Sequence, residues 1–401
     1  MKILQLCYKM PLRGMDGGEY SLRNSALSLM AQPNVSLKVL AMNPKRDLVL
    51  PNDKDNHFIA KASVEFVEVD TRIKPFRMFT NLFSKDSYLS ERFNSEVFRA
   101  KLIEILKVNT FDIIQLEHLY LYHYINDIRL HSKAKIVLRA QNVEYKLWDT
   151  IIENNKNPVT NSYLKIAVKR LKRIEEHSAQ LVDGLICLTE VDADIYKNSG
   201  VQTPISIVPI GFDFSAVDNV PIHVDDPKSI KVYHLGSMDW KPNLQGIHWF
   251  IDEVLPILST LNPDIKIHLA GKKMPQAIYK KANKNIVVDG EVKDAFLYQN
   301  DKSVLIVPLL SGSGIRVKII EAMALGKTVI STSIGAQGIG FTDKENILIA
   351  DSPKGFAQAI QQCYISAELR NLLSKNAQEL ARNRFDLDKV GKQKISFYKT
   401  L

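Results

Sequence analysis

Residues 312–332 read GSGIRVKIIEAMALGKTVIST and carry the clearest pattern in the chain. A glycine-rich turn runs into a helical pattern that carries Lys318 and Glu321, and an apolar strand pattern follows. Backbone N–H groups at a helix N-terminus attract anions, and Gly312 and Gly314 let a ligand approach the main chain closely. Lys318 and Glu321 stand three positions apart and share one helix face. The stretch therefore predicts an anion-binding site in a domain of alternating strands and helices.

Outside this stretch, the first half of the chain alternates apolar runs with helical patterns. The runs lie at 1–8, 35–42, 111–117, 134–142, 182–190 and 204–211, and an amphipathic stretch at 90–109 is one of the helical connections. Continuously apolar runs are typical of parallel strands that are covered on both faces. The first half is therefore predicted to be a doubly wound parallel sheet.

The same pattern restarts after a polar, proline-containing stretch at 213–229. New apolar runs lie at 230–238, 265–271, 304–310, 327–332 and 346–352. A chain of 401 residues with 45% hydrophobic content is long enough for two cores. We therefore expect two α/β domains, with ligand at the carboxyl ends of the strands that face the cleft between them.

The residues 312–326 resemble the donor-site segment Gly-Ser-Gly-x-Arg-x-Lys-x-x-Glu-Ala-Met-Ala-x-Gly of the family 4 retaining glycosyltransferases of the GT-B fold. The runs GSMDWKPN at 236–243 and VPIGFD at 208–213 are also similar to that family. The resemblance implies an α/β protein of the GT-B class, in which two doubly wound Rossmann-like domains face a central cleft. It divides the chain into an acceptor-binding domain at 1–215, a nucleotide-sugar-binding domain at 216–382, and a helix at 383–401 that crosses back to the first domain.

In that family the donor segment grips a nucleotide diphosphate sugar. The resemblance places the turn residues at the donor, namely Gly312, Ser313, Gly314 and Ile315. Glu321 would accept hydrogen bonds from the ribose hydroxyls, because its two oxygens can take both donors. Ser313 stands where the family usually has a first glutamate, eight positions before the second, that touches the donor sugar. An exposed helix residue is the alternative for Glu321.

Two cations follow the turn, and the resemblance gives Arg316 and Lys318 the task of neutralising a diphosphate leaving group. Charge builds on the phosphoryl oxygens as the glycosidic bond breaks, so permanently positive donors are needed. Alternating positions on a helix point in different directions, so we expect one of the two to reach the phosphates. We favour Lys318, which shares a face with Glu321, and expect Arg316 to be structural or to bridge the domains.

The run GSMDWKPN follows the first strand of the second half. Backbone N–H groups of Gly236 and Ser237 would meet the donor at this strand end, and the resemblance makes Lys241 a second cation. The alternative is a helix start, in which Pro242 and Asn243 open the helix and Lys241 is an ordinary exposed lysine.

The resemblance also places two further glycine-containing segments near the ligand. In the run DGEVKD, main-chain groups of Gly290 and Val292 would contact the nucleobase. In the run DGG, Gly17 and Gly18 would allow close approach of the diphosphate or the acceptor. A plain turn is the alternative in both places.

Two strand ends in the first half carry candidates for the reacting centre. Glu117 and His118 end one strand, and the resemblance gives one of them the orientation of the donor sugar or the acceptor hydroxyl. Asn142 and Glu144 match the family's His-Asn-x-Glu run at the cleft, and Gln141 replaces its histidine. The alternatives are a structural His118 and helix capping by Asn142 with Glu144 in the first turn.

The formal net charge of +9 favours a polyanionic partner. We expect no nucleic acid, since no zinc-ligand spacing, basic-region heptad or ribonucleoprotein aromatic signature occurs. The segments from Arg72 to Phe83 and from Asn161 to Leu181 mix basic with apolar residues, which is typical of peripheral contact with an anionic membrane. A core-facing helix with a solvated basic side is the alternative for the second segment.

No stretch approaches the ~18 apolar residues of a spanning helix or the pattern of a signal peptide. Cys7, Cys187 and Cys363 are odd in number and lie in apolar segments, so we interpret them as reduced core residues. A cytoplasmic protein is expected, with peripheral contact at the inner face of the membrane if the acceptor is lipid-linked. The family normally needs no metal, so neither a metal nor a cofactor is expected beyond the nucleotide diphosphate sugar as co-substrate.

The sequence thus predicts a retaining glycosyltransferase that moves a hexosyl-type unit from a nucleotide diphosphate sugar to a carbohydrate or lipid-linked acceptor. The pathway would be the synthesis of a surface polysaccharide or glycoconjugate. Two alternatives stay open. One is a nucleotide-sugar-binding or scaffold protein without turnover, suggested by Ser313 and Gln141. The other is a sugar-nucleotide epimerase of the same fold.

Overall fold

The computed structural model describes residues 1–12, 17–52, 55–153, 155, 157–218, 220, 230–312 and 314–401. The chain forms two compact units. Unit 1 comprises Met1–Gly211 together with Leu387–Leu401, and unit 2 comprises Phe212–Asp386. Unit 1 is therefore built from two separate stretches of chain.

Unit 1 contains a sheet of seven parallel strands in the order β3-β2-β1-β4-β5-β6-β7. The strands are β1 (Lys2–Cys7), β2 (Ser36–Pro44), β3 (Val64–Val69), β4 (Ile113–Leu116), β5 (Lys135–Ala140), β6 (Gly184–Cys187) and β7 (Ile205–Ile207). From β1 the chain adds β2 and β3 on one side, and it then crosses to form β4 on the other side of β1. The carboxyl ends of β1 and β4 therefore flank the switch point, where doubly wound sheets bind ligands.

Helices cover both faces of this sheet. Alternate residues of β1 show this, because Leu4 and Leu6 belong to one apolar cluster, whereas Ile3 and Cys7 belong to another. The helices of the first stretch are α1 (Gly17–Met30), α2 (Asn56–Lys61), α3 (Pro75–Asn81), α4 (Tyr88–Glu91), α5 (Glu96–Val108), α6 (Ile125–His131), α7 (Glu144–Glu153), α8 (Pro158–Leu181) and α9 (Glu190–Asn198). Short 3-10 segments lie at Lys45–Asp47 and Leu119–Tyr124.

Unit 2 contains six parallel strands in the order β10-β9-β8-β11-β12-β13. They are β8 (Val232–Leu235), β9 (Ile267–Ala270), β10 (Ile286–Gly290), β11 (Val304–Val307), β12 (Thr328–Ser331) and β13 (Leu348–Ile349). The carboxyl ends of β8 and β11 flank the switch point of this sheet. The prediction of two doubly wound parallel sheets is confirmed.

The helices of unit 2 connect these strands. They are α10 (Ser215–Asp218), α11 (Lys241–Trp249), α12 (Leu255–Leu261), α13 (Gln276–Tyr279), α14 (Ala295–Asn300), α15 (Val317–Ala324), α16 (Pro353–Ile365) and α17 (Ala367–Arg384). A π-helical turn at Phe250–Val254 separates α11 from α12, where the sequence reads as one uninterrupted helix. Pro256 explains the turn, because proline has no N–H to donate to the carbonyl four residues earlier.

A final helix, α18 (Leu387–Tyr398), follows unit 2 in the chain but packs in unit 1. It lies close against α1, since a Cβ at Gly391 would be 2.0 Å from the carbonyl oxygen of Ser28. The Gln32 amide of unit 1 donates to the carbonyl of Asp388 at 2.9 Å. The chain that follows unit 2 therefore completes the core of unit 1.

The strands, helices and cysteines can be compared with the predictions made from the sequence. The strands β3 and β10 were not predicted, and both are edge strands. The single helix expected at 90–109 is two helices, α4 and α5. The three cysteines are buried and free, as predicted. The predicted linker at 213–229 lies largely outside the described residues.

Candidate functional site

Two loops flank the switch point of unit 2. The loop 236–240 follows β8 and leads into α11, and the loop 308–316 follows β11 and leads into α15. Gly246 of α11 allows close packing here, because a Cβ would lie 2.3 Å from the carbonyl oxygen of Pro308. The two stretches of sequence that were predicted to bind the donor therefore meet in one place. Ser313 lies outside the described residues.

Lys318 and Asn243 join the two sides of this switch point. The Nζ of Lys318 donates to Asn243 Oδ1 at 2.8 Å, and Asn243 Nδ2 donates to the carbonyl of Ser237 at 2.8 Å. Gly236 leaves room for both, since a Cβ there would lie 2.7 Å from each of the two nitrogen atoms. From the sequence, Asn243 was predicted only to open a helix. It lies in the same run, GSMDWKPN, as Gly236, and that proximity is the sequence signal that could have placed Asn243 at the site.

Lys318 and Glu321 are half-buried, and the surrounding protein desolvates both side chains. This desolvation, reinforced by the charge of Arg316, lowers the pKa of Lys318 to about 7, although Glu321 opposes the shift. Desolvation raises the pKa of Glu321 to about 7, although Lys318 opposes it. An anion beside Lys318, or hydroxyl donors at Glu321, would favour the charged forms of the two groups.

Arg316 fastens the glycine turn within unit 2. It is buried and immediately precedes α15. Its Nη1 donates to the carbonyl of Gly314 at 2.5 Å, and its guanidinium carbon lies 5.2 Å from the centroid of the Trp240 ring. Gly312 has a φ of 106°, and a Cβ there would lie 3.1 Å from Arg316 and 3.2 Å from Trp240. This placement gives Arg316 a structural role in the turn.

Glycines at the ends of β8, β9 and β10 make a continuous main-chain contact. Gly271 has a φ of 152°, and a Cβ there would lie 1.7 Å from the carbonyl oxygen of Gly236. The N–H of Gly271 donates to the carbonyl of Gly290 at 2.7 Å. Gly290 is the last residue of β10 and has a φ of 71°, and Val292 is half-buried beyond it. Gly236 and Gly290 were predicted from the sequence, whereas Gly271, which joins them, was not.

Three other residues of the predicted donor set lie around these loops. Lys241 is exposed at the first position of α11, as in the helix-start alternative. Ser237 is half-buried, and its hydroxyl donates to Asp239 Oδ1 at 2.5 Å. Ile315 is half-buried in the glycine turn. Of the two lysines predicted to act on the diphosphate, Lys318 is therefore the one that joins the two sides of the switch point.

In unit 1, His118 and Glu144 form a buried pair at the carboxyl ends of β4 and β5. The Nε2 of His118 lies 3.1 Å from Glu144 Oε1, and the Tyr120 hydroxyl donates to Glu144 Oε2 at 2.9 Å. Burial opposes ionisation of Glu144, but the charge and hydrogen bond of His118 outweigh it and lower the pKa of this carboxyl. The pair fixes the orientation of the imidazole.

Glu117 lies at the centre of an internal polar network. It is fully buried, and Arg139 Nη1 donates to its Oε2 at 2.8 Å. The side chains of Ser25 and Gln115 donate to its Oε1. Both carboxylate oxygens are thus engaged inside unit 1, which favours a structural role for Glu117 over contact with a ligand.

Gln141 and Asn142, which follow β5, differ in their hydrogen bonding. Gln141 Nε2 donates to the carbonyl of Glu117 at 3.0 Å. The capping alternative for Asn142 is wrong, because the first two N–H groups of α7 donate to the buried Glu175 at 2.9 and 3.1 Å. Within the described part of the chain, the half-buried amide of Asn142 makes no hydrogen bond.

Gly17 and Gly18 are the first two residues of α1, so they lie in a helix rather than in a plain turn. A Cβ at Gly18 would lie 2.8 Å from Lys9 Nζ and 3.1 Å from the Tyr8 hydroxyl. Gly17 has open space around it. The preceding residues 13–16 lie outside the described residues.

The residues 229–365 match the family model described as Glycosyl transferases group 1. They include both loops at the switch point of unit 2 together with Lys318 and Glu321. This region of the chain is a glycosyltransferase domain of group 1. The matched region holds every predicted donor residue of the glycosyltransferase except the glycine pair of α1.

Similar proteins cover a larger part of the chain than the family model does. An uncharacterized 44.6 kDa protein in the cps region of Klebsiella pneumoniae is 25% identical over 301 residues, which are 73% of this chain and 75% of that protein. HepE of Anabaena, solved in complex with UDP, has a TM-score of 0.66 at 14% identity over all of both chains. A mutant of S. aureus TarM, solved with Fondaparinux, alpha-GlcNAc-glycerol and UDP, has a TM-score of 0.69 at 12% identity over 99% of each chain. These structures show that the glycosyltransferase has the GT-B fold.

The two basic, apolar segments of the glycosyltransferase meet in unit 1. The first contains α3 and the second lies in α8. The Arg170 guanidinium of α8 donates to the carbonyls of Asn81 and Leu82, each at 2.7 Å. Among the described helices, none has the length and apolar character needed to cross a bilayer. Nor do the described residues include a group of three or more His, Cys, Asp or Glu side chains placed to hold a metal ion.

Proposed function

We propose that the glycosyltransferase moves a sugar, with retention of configuration, from a UDP-linked donor to a carbohydrate or lipid-linked acceptor. The observation that carries the proposal is the oriented ammonium of Lys318, which shares the switch point of unit 2 with Glu321. A doubly wound sheet binds its ligand at this point. The pathway proposed is the synthesis of a surface polysaccharide or glycoconjugate, and the Klebsiella pneumoniae relative in a cps region supports it.

Lys318 supplies the positive charge for the leaving diphosphate. Its pKa of about 7 means that the ammonium is poorly solvated before the donor binds. A diphosphate beside it raises that pKa and holds the proton on the nitrogen. The charge that builds on the phosphoryl oxygens during bond cleavage then meets a cation that needs no reorganisation.

Glu321 accepts the ribose hydroxyls. It is one turn from Lys318 on α15, and its carboxylate offers two acceptor oxygens. UDP is the nucleotide that we propose, because HepE was solved with UDP and UDP-glucose and TarM was solved with UDP. The reaction is proposed to need no metal, with Lys318 supplying positive charge to the leaving diphosphate.

Calorimetric titration with UDP and GDP tests the donor site. We expect micromolar binding of UDP, weaker binding of GDP, and loss of UDP binding in Glu321→Ala. Glu253→Ala is the matched control, because Glu253 is an exposed carboxylate elsewhere in unit 2. Binding of neither nucleotide, or full affinity in Glu321→Ala, would overturn the donor-site assignment.

A second candidate is a nucleotide-sugar-binding protein without turnover. Gln141 favours it, because this residue replaces the family's usual histidine and its amide serves a main-chain hydrogen bond. Measuring the release of UDP from UDP-sugars in the presence of candidate acceptors distinguishes a transferase from a binding protein without turnover. Tight UDP binding with no release from any donor would favour the second candidate, and the anomeric signal of a product would test retention.

A further inference from the structure

The helix α3 exposes a row of aromatic side chains. Phe76 and Phe79 are 78% and 61% exposed, and Phe83, two residues beyond the helix, is 83% exposed. The spacing of three residues places Phe76 and Phe79 on one face of α3, and the rings of Phe79 and Phe83 lie edge to face with centroids 5.9 Å apart. Proteins rarely expose a contiguous apolar patch of this kind unless it binds something.

This aromatic face is held in place by the rest of unit 1. The Arg170 guanidinium of α8 bonds the carbonyls of Asn81 and Leu82 at the end of α3. The N–H of Lys74, immediately before α3, donates to the Tyr88 hydroxyl at 2.8 Å. The three phenylalanines therefore project from an anchored element.

Cationic side chains surround the aromatic face. A recess of about 180 Å³ lies beside α3, and its charged lining consists of four basic and two acidic residues: Arg72, Lys74, Arg77, Arg92, Asp70 and Glu91. Asp70 pairs with both Arg72 and Lys74, at 2.8 and 3.0 Å, and Glu91 is the second acid. Four cations against two carboxylates leave the recess with an excess of two positive charges. Exposed aromatic side chains flanked by arginine and lysine are complementary to the headgroup region of an anionic bilayer.

We propose that unit 1 docks on an anionic lipid surface through α3. Phe76, Phe79 and Phe83 enter the boundary between headgroups and acyl chains, and Arg77 with Arg92 faces the lipid phosphates. On α8, the exposed Arg173 lies on the same face as Arg170 and adds to the positive charge.

Continuous packing joins this surface to His118. The Arg92 guanidinium lies over the Phe93 ring at 5.0 Å, and the Phe93 ring stacks on Tyr120 with centroids 4.5 Å apart. The Tyr120 hydroxyl in turn donates a hydrogen bond to Glu144, which pairs with His118. Phe93 and Tyr120 therefore connect the recess beside α3 to the reacting-centre candidates of unit 1.

Vesicle flotation with the full chain tests the proposal. The probes are vesicles of phosphatidylcholine with and without phosphatidylglycerol, at low and high salt. The triple variant Phe76→Ala, Phe79→Ala, Phe83→Ala should lose at least about tenfold in partitioning to the anionic vesicles. The control replaces three exposed apolar residues of α5 and α6, Val97, Val108 and Leu130, by alanine and should bind like the wild type.

A charge variant separates the contribution of the cations to vesicle binding from that of the aromatic side chains. Arg77→Gln with Arg92→Gln should weaken binding and reduce its salt dependence, whereas Lys45→Gln with Arg46→Gln, two exposed cations elsewhere in unit 1, should not. Unchanged thermal midpoints show that the variants are folded. No binding of the wild type to anionic vesicles, equal binding to neutral vesicles, or full binding of the triple variant would overturn the proposal. Flotation needs no nucleotide, so this result is independent of UDP binding.

Discussion

The Nζ of Lys318 lies 2.8 Å from Asn243 Oδ1, although the two residues follow strands on opposite sides of the switch point of unit 2. The carbonyl of Ser237 holds the Asn243 amide in turn. The ammonium is therefore oriented before a diphosphate arrives, and less side-chain entropy is lost on binding. Preorganisation of this kind raises affinity without adding a contact.

Replacing Asn243 by alanine tests that preorganisation. Asn243→Ala removes the acceptor of Lys318, so we expect UDP to bind about five- to tenfold more weakly, which corresponds to one ordinary hydrogen bond. Calorimetric titration measures the difference. Asn371→Ala, at an exposed asparagine of α17, is the control and should bind UDP like the wild type. Equal affinity of all three proteins would show that Asn243 does not position the ammonium.

UDP binding should depend on pH through Lys318. Desolvation, and then Arg316, lowers the pKa of this ammonium to about 7, so it loses its proton as the pH rises above neutrality. The affinity for a diphosphate should then fall by up to about tenfold per pH unit. Lys318→Arg stays charged and should remove this fall. Titrations from neutral to alkaline pH check it, and parallel profiles for the two proteins would contradict the role of Lys318.

Gly271→Ala should be strongly destabilising. The φ of 152° is strained for alanine, and the new Cβ would lie 1.7 Å from the carbonyl oxygen of Gly236. Because the obstacle is main chain, no rotamer change relieves it, and we expect a loss of at least about 3 kcal/mol in the free energy of unfolding. Denaturant unfolding measures it. Gly17→Ala, whose Cβ would meet nothing within 4 Å, is the control and should change stability little. A stable Gly271→Ala protein would mean that this contact is absent in solution.

His118→Asn should slow turnover and leave UDP affinity unchanged, because His118 lies in unit 1 whereas Lys318 and Glu321, the proposed contacts of UDP, lie in unit 2. A group that orients a reactant or moves a proton contributes at least about a hundredfold to the rate, and we expect kcat to fall on that scale. UDP release at saturating donor and acceptor gives kcat, and calorimetry gives the affinity. His131→Asn, at an exposed histidine of α6, is the control. A normal kcat in His118→Asn would assign His118 a structural role.

Lys394 should make the stability of unit 1 depend on pH. It is fully buried on α18, and its Nζ donates to the Ser25 hydroxyl at 2.7 Å. Burial, and then Arg139, lowers its pKa from 10.5 to about 7, although Glu117 opposes the shift. Between these two pKa values the unfolded chain binds more protons than the folded chain. The stability of unit 1 should therefore rise with pH in this window, by at most about 1.4 kcal/mol per pH unit.

Lys394→Met should flatten that dependence. Unfolding by denaturant at neutral and alkaline pH measures the slope for each protein. Lys392→Met, at an exposed lysine on the same helix, should keep the wild-type slope. If Lys394→Met keeps it as well, the buried lysine is not the group that titrates.

Much of the fold can be predicted from the sequence, because strands that are buried on both faces appear as continuous apolar runs. β11 reads VLIV and β1 reads KILQLC, and both were found. Two of the four edge strands, β3 and β10, were missed, whereas β7 and β13 were found. One side of an edge strand is less covered, so its apolar pattern is weaker. β3 reads VEFVEV and alternates, which is not the pattern of a central parallel strand.

The candidate site is only partly predictable, because a sequence shows which residues share an element but not which elements meet. Lys318 and Glu321 are three positions apart on one helix and were predicted together. Asn243 is 75 positions from Lys318, so their contact depends on the strand order of unit 2. Gly271 touches Gly236 through main-chain atoms, and no side-chain pattern records such a contact.

The helix α18 also has a consequence for synthesis. Leu387–Leu401 is made after the whole of unit 2, so unit 1 lacks this helix while unit 2 is being translated. During that time the surface of α1 that Gly391 and Lys394 later cover is open to water. Unit 2 consists of one continuous stretch and needs nothing made later. On the ribosome, the unit that begins first is therefore completed last.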